Sequence, residues 1–130
     1  MEGKTAVRTE KAPAPFQGAP YSQAIKANGF VFVSGQLGLT AGHAELAGST
    51  IEEQTRQVFD NLEAILTEAG SGLDRIVKTT VFLVDLKNFV PMNAVYETYF
   101  APPFPARSTI QVAALPRGAH VEIEAIAVAE

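Results

Sequence analysis

Nine consecutive residues, Ile76-Val-Lys-Thr-Thr-Val-Phe-Leu-Val84, constrain the fold more than any other stretch. A branched Cβ loses rotamers against the preceding turn of a helix but packs well on a pleated surface, so this run reads as a strand. Alternation sends Val77, Val81 and Leu83 to one face and Ile76, Phe82 and Val84 to the other. Both faces are apolar and both require burial. The segment is expected to be a long central strand.

The neighbouring segments say what can cover it. Thr50-Ile-Glu-Glu53 has the spacing of a capping box, in which the threonine hydroxyl and the Glu53 carboxylate satisfy each other's end of the helix. Ile51, Val58, Leu62, Ile65, Leu66 and Ala69 then follow helical spacing, and Gly70 stands where a helix stops. A helix is therefore expected over 51–69. A second is expected over 89–100, with Pro91 tolerated in its first turn and Met92, Val95, Tyr96, Tyr99 and Phe100 on its apolar side. Before the first helix, Tyr21–Ala27 and Phe30–Ser34 flank an Asn28-Gly29 turn and read as a hairpin, with a further short strand near Ala44–Leu46. After the second, Phe104–Val128 reads as two strands joined by Pro116-Arg-Gly118. Residues 1–12 read as an extended entry to a single domain spanning 1–130. The fold class is α+β: a mixed sheet with two helices on one face. The uncovered face of that sheet makes self-association the natural resolution.

Inventory narrows the chemistry. The chain has no cysteine, which removes disulfides, thiolate metal sites and a cysteine nucleophile. His43 and His120 have no ligand-like spacing, and neither a phosphate loop nor a dinucleotide fingerprint is present, so neither a metal nor a cofactor is expected. With 10 Lys and Arg against 14 Asp and Glu the formal charge is −4, and the basic residues are scattered. Nucleic-acid binding is disfavoured on that balance, because phosphate neutralisation needs a basic surface. No apolar run is long enough for a membrane helix, and the first ten residues lack the core of a signal peptide. A cytoplasmic location is expected, or a plastid or mitochondrion if a leader has been removed.

Arg107 and Glu122 are the ionisable residues that packing would not choose. Arg107 precedes a strand in which Ile110 and Val112 look buried. It reads either as an arginine paired with a glutamate at a strand entrance or as a planar fork aimed at a carboxylate ligand. Glu122 and Glu124 share one strand face, either a solvated one or, since Ile126 and Val128 lie on it too, a partly covered one.

Phe104-Pro-Ala-Arg-Ser-Thr109, Gln111-Val-Ala-Ala-Leu-Pro116 and Val121-Glu-Ile-Glu-Ala-Ile-Ala127 resemble the end of the reactive intermediate deaminase A (RidA/YjgF) family. Gly18-Ala-Pro-Tyr-Ser-Gln23, Val33-Ser-Gly-Gln36, Gln54 with Asn61-Leu62, Val77-Lys-Thr-Thr-Val81 and Asn93 with Tyr96 resemble it too, in the same order. The resemblance implies a chorismate-mutase-like α+β fold and a homotrimer with active sites between subunits. It also implies hydrolysis of 2-imino acids, such as 2-iminobutanoate and 2-iminopropanoate, to 2-keto acids and ammonia. By position it makes Arg107 the holder of the substrate carboxylate and Glu122 the acid/base that orients water. Tyr21, Ser34, Gly35, Asn93 and Thr109 match positions lining the cleft. Thr109 stands where some members have cysteine, so no thiol can act there, although its backbone carbonyl still can. Two other roles attach to the family: a translation-inhibiting ribonuclease or RNA-binding protein, and a metabolite-binding or chaperone-like trimer without catalysis.

The chemistry suits such a site. Imines hydrolyse unaided in water, so one positioned water with one acid/base, a contribution of ~10²–10⁴-fold, suffices. If the last two strands fold as a hairpin at Leu115–Gly118, Val112 lies opposite Glu122, and Arg107 is then about 16 Å away at ~3.3 Å per residue. One small substrate cannot bridge that span. The two groups of one site are therefore expected from different chains.

Overall fold

The computed structural model describes residues 3–129. Six strands form one sheet: β1 (Thr5–Val7), β2 (Ala24–Ala27), β3 (Phe30–Leu37), β4 (Ile76–Leu83), β5 (Ala106–Gln111) and β6 (Val121–Val128). Their spatial order is β1-β2-β3-β6-β4-β5, and every neighbouring pair is antiparallel except β4 with β5. Two helices, α1 (Ile51–Glu68) and α2 (Phe89–Tyr96), pack against each other on one face. Between them and the sheet lies the main core, which includes Val58, Phe59, Leu62, Ile65, Val81, Leu83, Val121 and Ile123.

The local signals act where expected at α1. Glu53 N–H donates to the Thr50 hydroxyl at 3.1 Å, and the Glu53 carboxylate accepts from Thr50 N–H at 3.2 Å, closing the capping box. Gly70 follows the C-cap at φ 80°, a conformation that costs glycine nothing. The second helix is shorter than expected: it ends at Tyr96 and tightens into a single 3₁₀ turn over Glu97–Tyr99. The segment near Ala44–Leu46 makes only an isolated bridge, Leu39 to Leu46. An unforeseen pairing is that of β1 with β2, supported by Gln23. This buried side chain accepts from Thr9 N–H at 2.7 Å and donates to the carbonyls of Thr9, Ala12 and Pro13.

Two expectations are corrected. The hairpin over 104–128 does not form, because β5 and β6 lie on opposite sides of β4 and each bonds to it. Val112 N–H donates to Leu83 O and Val84 N–H to His120 O, so both flanking segments stay attached to β4 to its end. A central strand pairs on both edges, and the connection from Val112 to His120 is long enough to carry the chain from one edge of β4 to the other. The second correction is at Ile76. A bulge between Ile76 and Lys78 breaks the alternation, so Ile76 is buried while Val77 is 42% exposed.

Register assigns the faces. Thr79, Val81 and Leu83 point at the helices with their partners on β6, Ala125, Ile123 and Val121. Lys78, Thr80 and Phe82 point the other way with Ile126, Glu124 and Glu122. That second face has no layer over it within the chain: Phe32 is 43% and Ile110 46% exposed. Only the end next to Glu122 is covered, by a small cluster of Leu37, Leu39 and Ala119 with Phe16, Leu46 and Leu115.

Candidate active site

Arg107 stands at the start of β5, beside Thr79 in the parallel ladder and therefore on the helix side. Its guanidinium donates to Asn93 Oδ1 at 2.7 Å. The same guanidinium lies over two rings of α2, 4.7 Å from the centroid of Tyr96 and 5.4 Å from that of Phe89. Residues 89, 93 and 96 recur at i, i+4 and i+7, which is why one short helix presents all three to β5. No carboxylate among the described residues pairs with Arg107. A guanidinium has five N–H donors, so most of them remain available to the cleft in front of it. That cleft, about 290 Å³, is walled by Asn93, Tyr96, Glu97, Phe104, Pro105 and Arg107. Thr109, paired with Val81, lies two residues on along the same face of β5.

Glu122 belongs to the other face. It sits on β6 between Leu37 and Phe82, half-buried, with no hydrogen-bond donor among the described residues. Burial raises its pKa above the ordinary carboxylate value, and the neighbouring charge of Glu124 adds to the shift. Its carboxylate lies on the backbone of Gly35, in the irregular stretch where the β3–β6 register shifts between Val33 and Gln36. A Cβ at residue 35 would come within 2.5 Å of Glu122 Oε2, so the missing side chain is what makes room for the acid. Ser34 is tied into the same turn, donating from Oγ to Ser22 O at 2.6 Å and from N–H to Gln23 O at 2.9 Å. Tyr21 is 46% exposed, and its hydroxyl accepts from Phe16 N–H at 3.2 Å.

Two buried amides of α1 tie down the chain around this end of the sheet. Asn61 on α1 donates to Leu37 O at 3.1 Å and Leu39 O at 2.9 Å. Gln54 donates to Gly48 O at 3.0 Å and accepts from His120 N–H at 2.8 Å.

The expected site residues thus fall into two groups. Arg107, Asn93 and Thr109 lie on the helix side near the β5 edge; Tyr21, Ser34, Gly35 and Glu122 lie at the opposite face near the end of β3. From the register, Arg107 and Glu122 are three residues and two strands apart, a Cα separation of ~14 Å at ~3.3 Å per residue and ~4.8 Å per strand. They also point away from each other. The walls Tyr96, Glu97, Phe104 and Pro105 and the ring of Phe89 were assigned no site role from the sequence, although the spacing of 89, 93 and 96 was a signal for the two rings.

The family model described as Endoribonuclease L-PSP matches residues 9–129, nearly the whole chain. The chain is a member of this Endoribonuclease L-PSP family. Its relatives include Reactive Intermediate Deaminase A, chloroplastic, from Arabidopsis thaliana, 51% identical over 95% of this chain; the chain spans 65% of that protein's length. The 2-iminobutanoate/2-iminopropanoate deaminase of Mus musculus is 46% identical, over 94% of this chain and 89% of the mouse protein. The crystal structure of yeast Mmf1 superimposes with a TM-score of 0.91 at 46% identity, covering 98% of this chain and 99% of that one. The resemblance read from the sequence and the α+β fold, a mixed sheet with two helices, are both borne out.

Proposed function

We propose that the chain hydrolyses small 2-imino acids, such as 2-iminobutanoate and 2-iminopropanoate, to 2-keto acids and ammonia, in clefts shared between chains of a homotrimer. The observation that carries the reading is Arg107: a guanidinium held by Asn93 and two rings, lining a small cleft, with no carboxylate among the described residues to neutralise it. A planar fork in that state matches a carboxylate ligand in charge and in geometry.

In the reaction the substrate carboxylate lies on Arg107, which orients the C=N carbon. Glu122 of a neighbouring chain takes a proton from water as the oxygen attacks that carbon, and passes that proton to the imine nitrogen. The resulting carbinolamine carries one hydroxyl and one amino group. Glu122 then takes the hydroxyl proton and delivers it to the amino group, the C–N bond breaks, and C=O forms as ammonia leaves. A carboxylate with a raised pKa and no donor of its own is suited to taking and returning a proton. The opposed faces of Arg107 and Glu122 support a site completed by a second chain, and the open apolar face supports a partner packed there.

Arg107→Ala is expected to lower kcat/KM on enzymatically generated 2-iminobutanoate by about 100-fold or more, since it removes a charged bidentate contact. Arg107→Lys is expected to fall nearly as far, because a point charge cannot replace the fork. Undiminished hydrolysis by Arg107→Ala overturns the assignment. Ribonuclease activity is the rival that the family description raises, and the formal charge of −4 weighs against it.

A further inference from the structure

Fixing an arginine usually consumes its donors, because the partner that holds it also occupies its hydrogen-bonding edge. Arg107 is held differently. Ring contacts take the flat faces of a guanidinium, whereas its N–H groups point outward in its plane. With Tyr96 at 4.7 Å and Phe89 at 5.4 Å, two rings contact the ion without offering a hydrogen-bond acceptor in their planes, and among the described residues only Asn93 takes a donor.

Tyr96 is itself locked. Its ring packs against Phe59, edge-on at 5.6 Å, and against Phe100 at 4.9 Å. Its hydroxyl lies 2.7 Å from Thr79 Oγ1, and both residues are buried, Thr79 completely. Thr79 is also the β4 neighbour of Arg107 in the parallel ladder, so the residue that anchors the ring is fixed to the strand that carries the arginine.

We propose that Tyr96 and Phe89 are positioning residues for Arg107: their rings form an aromatic seat that turns the free edge of the guanidinium into the cleft, and the Thr79–Tyr96 hydroxyl bond holds that seat in place. The inference rests on the reading of Arg107 as the holder of a substrate carboxylate and says how that holder is aimed. A seat of this kind acts on binding and leaves the proton transfers at Glu122 alone.

The test measures kcat and KM on 2-iminobutanoate, together with the Kd for 2-oxobutanoate, a carboxylate that cannot be deaminated, on the full chain and on Phe89→Leu, Tyr96→Leu and Tyr96→Phe. Removal of either ring is expected to raise KM and Kd together by about tenfold, with kcat held within about twofold. Tyr96→Phe keeps the ring and is expected to retain most of the affinity lost in Tyr96→Leu. Phe89 is 39% exposed, so Phe89→Leu spares the core and decides the matter if Tyr96→Leu fails to fold. A folded Phe89→Leu with wild-type Kd and KM overturns the inference, as does a loss confined to kcat. An unmutated protein that binds no 2-oxobutanoate overturns the carboxylate reading itself, and the inference with it.

Discussion

Glu122 is a carboxylate without a donor among the described residues, half-buried beside Glu124, and its raised pKa has consequences for both rate and stability. As the proposed base it must be ionised, so kcat/KM is expected to fall on the acid side at a pH above the ordinary carboxylate range. The folded chain holds this proton more tightly than the unfolded chain does. The ionised form therefore costs stability above the folded-state pKa, and the cost disappears below the unfolded value, about 4.3. Glu122→Gln is expected to raise the melting midpoint at pH 7 relative to the unmutated chain, with the gain shrinking to nothing near pH ~4. The same substitution is expected to lower kcat ~10²-fold or more, with the Kd for 2-oxobutanoate kept. Melts at the two pH values and a single rate assay check this, and a variant less stable at pH 7 contradicts it. Arg107 and Glu122 were both legible as charges out of place. The further site residues proposed, Tyr21, Ser34, Gly35, Asn93 and Thr109, were legible only through the family resemblance, because nothing about a lone tyrosine or glycine announces a role.

At the scale of elements, the end of β3 is positioned from α1. Asn61 is fully buried and spends both amide protons on the carbonyls of Leu37 and Leu39, just past the Gly35 turn on which Glu122 rests. Asn61→Ala would leave those carbonyls without donors and open a small void, at a cost of roughly 2–3 kcal/mol. Urea denaturation reads the loss, and kcat is expected to fall with it because the seat of Glu122 shifts; full stability in Asn61→Ala contradicts the clamp. Elements specified locally were readable: the capping box places the start of α1, and the β-branched run places β4. Strand partnership was not. The alternation in β5 and β6 is the same whether they pair with each other or each with β4, and only the long stretch from Val112 to His120, too long for a tight hairpin, spoke against the simpler arrangement. The bulge at Ile76 was equally silent, since it depends on the register against β6.

For the whole molecule, the helix-free face of the sheet carries Phe30, Phe32, Ile110 and Val128, each more than a third exposed, around the paired acids of β6. A face of that kind is resolved by copies of the chain, and the trimer proposed here predicts a native mass three times the chain's 13.8 kDa. The need for a second layer was visible in the sequence, in the two-sided apolar pattern of β4. From the sequence, Arg107 and Glu122 of one site were expected from different chains on the strength of a hairpin that does not form; the register that turns them to opposite faces, which supports the same proposal, was not visible there. Complementation tests that central claim most directly. Arg107→Ala and Glu122→Gln chains, each inactive alone, are unfolded, mixed in equal amounts and refolded together. In a cyclic trimer, three-quarters of random assemblies contain both chains, and each of these holds one intact site of three, so the mixture is expected to recover about a quarter of the unmutated activity. A mixture that assembles into trimers and stays inactive would show that both residues must come from one chain, and would contradict the shared site.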